Sequence, residues 1–231
     1  RVVSRRAQPA AAPDAGLRAM NWLLPWARPA QPANEARWVV LDVETSGLDP
    51  QRDALLAIAG IALRMDWAHR QLRIDLNDSF EVVLRQEVSS SKDNILLHGI
   101  GAQRQREGVP APQALGAFLE FCGTSPLLAF HAPFDHALLK RYCKTHALPL
   151  SREWLDIEHL CGVTHPQVRA RSLDEWLAHF DIPCAQRHQA AADTLAECEL
   201  LQRVWPGVAA QCRNWREVRS LAAKHRWLPR A

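Results

Sequence analysis

The sequence lacks the features that mark membrane proteins and disulfide-bonded domains. No apolar run reaches the roughly 18–20 residues that a membrane-spanning helix needs. The six cysteines include no C-x-x-C pair, which disfavours both a zinc site and a disulfide framework. We therefore expect reduced, mostly structural thiols in a cytoplasmic protein that does not span a membrane.

The first 36 residues contain little that could build a hydrophobic core. They include ten alanines and five prolines with arginine interspersed. Such a segment buries too little apolar surface to offset the entropy lost on ordering. We predict a flexible tail at residues 1–36, with Met20 as an alternative translation start. A folded domain is expected at 37–204, followed by a basic helical extension at 205–231.

Charge is distributed unevenly along the chain. In total, 28 Lys and Arg face 25 Asp and Glu, which gives a net charge of +3. Six basic and two acidic residues give residues 1–37 a charge of +4, and seven against one give residues 203–231 a charge of +6. Residues 38–202 are left with −7. This division argues against a simple basic nucleic-acid-binding domain and favours an acidic metal site between basic ends.

The apolar pattern predicts an α/β fold. Strands come first and then alternate with helices, which implies a sheet covered by helices on both faces. Ser172 and Glu175 have the spacing of a capping box at a helix start. The predicted strands are 38–43, 54–64, 80–84, 126–130 and 154–157, and the predicted helices are 114–121, 134–146, 172–182 and 190–205.

Four carboxylates and one histidine lie at the ends of these predicted elements. Asp42 and Glu44 are two residues apart on a strand, so both point to the same face. Asp135 begins a helix, where the helix dipole alone would favour a carboxylate. His188 can reach Asp193 if it lies on the loop before the helix. Paired carboxylates need a nearby cation, and oxygen ligands favour Mg²⁺ or Mn²⁺. Each piece alone is a weak signal.

The joint pattern is far more specific than any of its parts. D-x-E-T-x-G-L follows a strand, F-D follows a later strand, and H-x-x-x-x-D opens a late helix. In this order the motifs resemble the DEDD 3′–5′ exonuclease superfamily. The resemblance is greatest to its histidine-bearing (DEDDh) branch, which includes the proofreading epsilon subunit of bacterial DNA polymerase III and ribonuclease-T-like enzymes. It covers about residues 37–204.

The resemblance implies a ribonuclease-H-like mixed sheet flanked by helices on both faces. It also implies a metal-dependent exonuclease that hydrolyses nucleic-acid 3′ ends to nucleoside 5′-monophosphates. Asp42, Glu44, Asp135 and Asp193 match the carboxylates that hold two divalent cations, Mg²⁺ or Mn²⁺. His188 matches the general base, a role that suits an imidazole because it ionises near neutral pH.

Further residues match the substrate-binding positions of the superfamily. Thr45, Gly47 and Leu48 match the segment that cradles the terminal nucleotide. His98, within the segment Leu97–Ile100, resembles the histidine of the superfamily's H-G-I segment and is expected to line the nucleotide pocket. The sequence departs from many relatives at Phe130 and His131, where they carry His and Asn.

Three functions remain open at this stage. The first is a DNA 3′–5′ exonuclease acting on single-stranded or frayed 3′ ends, as a stand-alone paralogue with a DNA polymerase or clamp as a candidate partner. The second is an RNA 3′ exonuclease, and the third is a catalytically silent polymerase-associated binding module. The apolar stripe in 215–227 predicts a helix packed on the domain, and a phosphate-tracking helix is the alternative.

Overall fold

A computed structural model describes residues 34–184 and 186–227 of the chain. Most of the predicted tail, including Met20, therefore lies outside the described residues. Its last three residues pack against the domain. The Asn34 N–H donates to the Thr124 carbonyl at 3.1 Å, and the Glu35 carbonyl accepts from the indole N–H groups of Trp38 and Trp67 at 3.1 and 3.0 Å.

A five-stranded mixed sheet forms the centre of the fold. Its strands are β1 (Arg37–Thr45), β2 (Leu55–Asp66), β3 (Gln71–Val83), β4 (Leu127–Ala129) and β5 (Trp154–Asp156). Their order in the sheet is β3-β2-β1-β4-β5. β1 pairs antiparallel with β2, and β2 pairs antiparallel with β3. On the other side of β1, β4 and β5 are added in parallel.

Helices cover both faces of this sheet, which confirms the predicted α/β class. No helix among residues 34–184 and 186–227 is long and apolar enough to cross a membrane. The helices are α1 (Lys92–His98), α2 (Ala102–Arg106), α3 (Ala111–Cys122), α4 (Ala132–Thr145), α5 (Ile157–Thr164), α6 (Leu173–His179), α7 (Ala190–Ala209) and α8 (Trp215–Ala222), followed by a 3₁₀ turn at Ala223–Trp227.

Alternate residues of β1 build two separate cores. Trp38 and Val40 belong to the cluster that contains buried residues of α5, α6, α7 and α8. Val39, Leu41 and Val43 belong to the cluster that contains buried residues of α3 and α4. This follows from the period of two in a strand, because successive side chains point to opposite faces of the sheet. The central strand is therefore apolar on both faces.

The structure adds elements that the sequence pattern did not predict. β3 begins at Gln71, well before the expected start at residue 80, and its first half is largely polar and exposed. Such a segment has no apolar run, and its pairing with β2 fixes it as a strand. Helices α1, α2 and α5 are no more than eight residues long, which is too short for a clear apolar period.

The C-terminal segment packs into the same core as the rest of the domain. α7 runs to residue 209, so the predicted boundary at 204 falls inside a helix. Trp215, Val218 and Leu221 of α8 are buried. The Trp215 ring lies 4.9 Å from the Trp38 ring, edge to face. α8 is thus the packed amphipathic helix that the apolar stripe predicted.

All six cysteines lie within the described residues, and none forms a disulfide. Five of them are buried and Cys184 is partly exposed. Burial raises the pKa of the Cys143 thiol to about 11, which keeps it in the protonated, unreactive form near neutral pH. The cysteines of the core thus act as small apolar side chains.

The packing of α8 predicts a large cost for truncating its tryptophan. Trp215→Ala removes a buried ring from the centre of the larger core, so we expect unfolding to become easier by about 3–5 kcal/mol. Urea unfolding followed by tryptophan fluorescence measures this change. Arg216→Ala, at the exposed neighbouring position, should alter stability by less than about 0.5 kcal/mol. Equal stability of the two variants would show that α8 is dispensable to the core.

Candidate active site

The carboxyl end of β1 carries the first two acidic side chains. Asp42 and Glu44 continue the row of Trp38 and Val40, so they point to the face of the sheet that α7 covers. Both side chains are partly buried. Their direction is therefore set by the same alternation that builds the core.

α7 brings a third carboxylate to this row. Ligand oxygens of Asp42, Glu44 and Asp193 lie within 4.8 Å of one another. Asp193 is in the first turn of α7 and is buried. His188 lies on the preceding loop in a left-handed conformation (φ 61°). Its backbone N–H donates to Asp193 Oδ2 at 3.0 Å, and its side chain is exposed.

Asp135 reaches the same region from the neighbouring strand β4. A left-handed residue, His131 (φ 58°), follows β4 and is the N-cap of α4. Asp135 then lies in the first turn of the helix and is buried. A hydrogen bond from the backbone of Val43 in β1 opposes the rise in the pKa of Asp135, and the charge of Asp135 helps to raise the pKa of Asp42. β1, β4 and α7 thus bring together all four carboxylates predicted from the sequence.

Burial and nearby negative charge make ionisation of Asp42, Glu44 and Asp135 harder when no cation is bound. The pKa of Asp42 lies well above its usual range, through burial first and then through Asp135, Glu44 and Asp193. Burial, reinforced by Asp193, raises the pKa of Glu44 to about 7. Burial also raises the pKa of Asp135 to about 8. Such shifts at neighbouring carboxyls are typical of sites built for a cation.

The donor set fits a hard divalent cation. Glu44 Oε1 is buried and has no hydrogen-bond partner among the described residues. An unpaired buried oxygen is costly, and a cation at this point would satisfy it. Asp42, Glu44 and Asp193 offer only oxygen ligands, which Mg²⁺ and Mn²⁺ prefer. The cluster can therefore hold such an ion with its own side chains.

Two further acids lie at the site and were missed in the sequence. Glu197 is buried, accepts a hydrogen bond from the Phe130 N–H at 3.1 Å, and has a pKa raised by burial and by Asp42. It follows Asp193 by four residues, so helical spacing places both on one face of α7. Asp156 accepts from the His131 N–H at 3.1 Å. The i, i+4 spacing of Glu197 was a readable signal, whereas Asp156 was hidden in a strand that was identified only by its apolar residues.

A cationic side chain also enters the cluster. The Arg187 guanidinium donates to Asp193 Oδ1 and, through Nε, to Asp174 Oδ1 at 2.5 Å. Its charge opposes the upward pKa shifts of Asp42 and Glu44. Arg187 therefore offsets part of the negative charge at the side of the site next to His188. Nothing in the motif pattern singled it out.

The segment predicted to cradle a nucleotide forms a tight loop after β1. The carboxylate of Asp53 accepts from Ser46 Oγ at 3.3 Å and from the Asp49 N–H at 2.7 Å. A Cβ on Gly47 would lie 2.5 Å from this carboxylate, so the loop requires glycine there. Leu48 is 91% exposed at the tip. The Thr45 hydroxyl donates to the Gly47 carbonyl.

His98 lies in the interior rather than at the surface. It is the last residue of α1 and is buried. Its Nδ1 accepts from the Ile100 N–H at 2.9 Å, and its Nε2 is bonded to Asn94 Oδ1 at 2.7 Å. Asn94 Nδ2 in turn donates to the Thr45 carbonyl at 2.9 Å. As described, His98 supports the end of β1 through Asn94, and a role in lining the nucleotide pocket stays a prediction.

The departure from the superfamily motif at His131 has a local explanation. The backbone there is left-handed, a conformation that Asn tolerates better than most residues. The His131 side chain instead pairs with Glu158, with Nε2 and Oε2 3.3 Å apart. That pairing raises the pKa of His131 and lowers that of Glu158. The substitution thus changes the rim beside Asp135 and leaves the Asp135 carboxyl in place.

Comparison with known proteins identifies the family of this chain. A family model of the ribonuclease T type, described as an exonuclease, matches residues 39–201. The chain belongs to the RNase T exonuclease family. It is thereby a member of the DEDDh-type exonuclease superfamily, as the motif order predicted. The match includes all four carboxylates and His188, and its bounds agree with the segment from β1 to α7.

Relatives with similar sequences include PolC-type DNA polymerase III proteins. The chain is 25% identical to a PolC-type DNA polymerase III of Caldanaerobacter subterraneus subsp. tengcongensis, over 72% of this chain and 11% of that protein. It is 27% identical to the PolC-type DNA polymerase III of Streptococcus mutans, over 73% and 11%. The RNase T exonuclease chain thus spans about a tenth of the length of these relatives.

Solved exonuclease structures share the fold. Exonuclease I of E. coli in complex with a dA16 oligonucleotide superposes with a TM-score of 0.59 at 14% identity, over 76% of this chain and 43% of that one. Cell-death related nuclease 4 superposes with a TM-score of 0.59 at 14% identity, over 73% of this chain and 63% of that one. These likenesses confirm the ribonuclease-H-like fold.

The raised pKa values predict how the metal-free protein responds to pH. The folded-state pKa values of Glu44 and Asp135 are about 7 and about 8, against ordinary values of 4.5 and 3.8. The stability that these groups contribute is complete below their ordinary pKa values and is lost as pH rises through 7 and 8. In EDTA, the melting temperature should fall by roughly 5–10 °C between about pH 6 and about pH 8.5. Differential scanning fluorimetry measures it.

Two variants and an added cation make this test specific. Glu44→Gln cannot ionise, so its melting temperature should fall less steeply with pH than that of the wild type. Glu120→Gln, at an exposed position, should keep the wild-type slope. Mn²⁺ should raise the melting temperature more at high pH than at low pH. A pH-independent effect of Mn²⁺ would contradict the assignment of these carboxyls as its ligands.

Proposed function

We propose that this chain is a 3′–5′ exonuclease that uses two divalent cations, Mg²⁺ or Mn²⁺, to release nucleoside 5′-monophosphates from DNA. One observation carries the proposal. Asp42, Glu44 and Asp193 converge within 4.8 Å in a chain of the RNase T exonuclease family. We further propose that it acts in the cytoplasm, in line with its six unpaired cysteines.

The four carboxylates divide into ligand roles by their positions. The charges of Asp135, Glu44 and Asp193 all raise the pKa of Asp42, so Asp42 would be the bridging ligand. Glu44 and Asp193 would complete the site on the side of His188, and Asp135 would support the second ion. When bound, two such ions stabilise the attacking and leaving oxygens of a phosphodiester.

His188 would accept a proton from the attacking water. Its backbone is bonded to Asp193, so its position follows that of the metal ligand. Its side chain is exposed and can therefore meet a substrate that arrives from solvent. Thr45, Gly47 and Leu48 form the loop at the end of β1 that would hold the terminal nucleotide. The exposed Leu48 tip would contact the terminal bases.

Two similarities favour DNA over RNA as the substrate. The relatives with similar sequences are DNA polymerases, and the E. coli Exonuclease I structures with the same fold contain oligodeoxynucleotides. We accordingly propose single-stranded or frayed DNA 3′ ends as the substrate, with a DNA polymerase or clamp as partner. Cleavage assays on labelled DNA and matched RNA distinguish this function from an RNA 3′ exonuclease and from a silent binding module.

The proposal predicts polarity and product together. With Mg²⁺, a single-stranded DNA labelled at its 5′ end should shorten stepwise, and one labelled at its 3′ terminal nucleotide should release labelled mononucleotide at once. Denaturing gels and thin-layer chromatography separate these products. Matched RNA should be degraded more slowly. Faster degradation of RNA than of DNA would instead indicate an RNA 3′ exonuclease. If neither nucleic acid is cleaved, the catalytically silent binding module would be favoured.

Asp42→Asn tests the metal assignment in the same assay. Removal of the bridging carboxylate should lower kcat by about 10³-fold or more, since several kcal/mol of transition-state stabilisation depend on the ions. Asp181→Asn is the matched control, because Asp181 is exposed and left-handed (φ 52°), a conformation that Asn accepts. Full activity in Asp42→Asn would refute the metal site.

His188→Asn separates the proton acceptor from the loop that carries it. Asn tolerates the left-handed backbone at 188 and keeps the N–H that caps Asp193. We therefore expect kcat to fall by about 10²–10⁴-fold, the usual range for loss of a general base. Mn²⁺ affinity, measured by titration calorimetry, should stay close to that of the wild type. A wild-type kcat in this variant would exclude His188 as the base.

A further inference from the structure

A cleft of about 840 Å³ runs along the outer face of α4. Its near end is formed by Ala132 and Pro133, in the same helical turn as Asp135. Its opposite wall comes from β5, from the start of α5 and from the end of α8. We call it the α4 cleft. The cleft therefore begins at the helical turn that holds Asp135.

The helical side of the α4 cleft carries a regular stripe of basic residues. His136, Lys140 and Lys144 line it at i, i+4 and i+8, so they share one face of α4 over about 12 Å. Lys140 and Lys144 are exposed. Neither forms an ion pair with any of residues 34–184 or 186–227. Their charges are therefore available to a ligand.

Other cations of the cleft are already engaged and serve to shape it. Arg141 donates to the Pro50 and Asp53 carbonyls, which ties α4 to the loop that follows β1. Arg219 of α8 pairs with Glu153. The stripe of α4 thus carries the unpaired positive charge, and α8 supplies the wall opposite it.

The floor of the α4 cleft is aromatic and apolar. The rings of His136 and Trp154 stack with centroids 4.9 Å apart, and both residues line the cleft. Small side chains, Ala137 and Ala222, leave the space between the walls open. Proteins that bind single-stranded nucleic acids combine a positively charged groove with aromatic side chains. The cations contact the phosphates, and the rings stack on the bases.

We propose that the α4 cleft binds the nucleotides upstream of the scissile phosphate, with Lys140 and Lys144 on successive phosphates of a single strand. This inference rests on the proposed function, because the 3′–5′ polarity sets the direction of the bound strand: its 3′ end lies at the active site, and the upstream nucleotides follow α4. An acidic protein segment would use the two lysines but would have no need of stacked rings, so the strand is the better fit.

Binding of a labelled single-stranded DNA of about twelve nucleotides in EDTA tests the inference without any cleavage. Each phosphate contact on a single strand contributes about 0.7 to the slope of log affinity against log salt. Lys140→Ala/Lys144→Ala should lower this slope by about 1.4. At about 0.1 M salt that is a loss of roughly 25-fold in affinity, measured by fluorescence anisotropy.

Arg73→Ala/Arg106→Ala is the matched control, because it removes the same charge. Arg73 is an exposed residue of β3, the edge strand opposite β5, and Arg106 is an exposed residue of α2. This variant should keep the wild-type slope. An unchanged slope in the lysine variant, or an equal decrease of the slope in the control, would overturn the inference. So would a lysine variant that no longer binds a protein partner but keeps its affinity for the oligonucleotide.

A second readout separates the α4 cleft from the proposed function. A dinucleotide can fill only the catalytic position, whereas a longer strand also fills the cleft. The ratio of kcat/KM for the long strand to kcat/KM for the dinucleotide should therefore fall by roughly 25-fold in the lysine variant. Absence of cleavage by the wild type would refute the proposed exonuclease activity. The anisotropy measurement would then test DNA binding in the α4 cleft by itself. An unchanged ratio would refute the cleft alone.

Discussion

The packing of α7 against β1 is the constraint on which the rest of the site depends. The contact buries Asp42, Glu44 and Asp193 close together in a partly dry environment, where Glu44 and Asp193 raise the pKa of Asp42 and Asp193 raises the pKa of Glu44. An apolar core of the same size would be more stable without them. Their presence makes sense when a cation is the missing partner, and the unpaired Glu44 Oε1 has no other evident use. Core packing thus enforces the geometry of the ligands.

Sheet topology explains why residues far apart in the chain meet at this point. β1 and β4 are parallel neighbours, so their carboxyl ends lie at the same edge, which is where α/β sheets place their sites. Asp135 follows β4 by one helical turn. The other neighbour of β1 is β2, which is antiparallel and brings no carboxylate to that edge. One parallel pair and one covering helix are therefore sufficient to assemble the four acids.

The sequence predicted those parts of the fold and site that depend on local periodicity or on a spaced motif. Asp42 and Glu44 share a face because strands alternate, and the capping box at Ser172 formed as its spacing required. Glu197 was missed although its i, i+4 spacing from Asp193 was readable, whereas the role of Arg187 depends on which side of a loop turns inward. That is decided by tertiary packing. β3 was shortened for the same reason: its polar half is a strand only through its partner β2.

The structure also changes the meaning of the uneven charge. The C-terminal segment is strongly basic, yet α8 buries its apolar stripe beside Trp38 and its Arg219 pairs with Glu153. Its described part is therefore a wall of the domain rather than a free cationic arm. Lys140 and Lys144 lie instead on α4, one and two turns beyond His136, and form no ion pair with any described residue. A polyanion can then be held by Lys140 and Lys144 while its end meets the carboxylates.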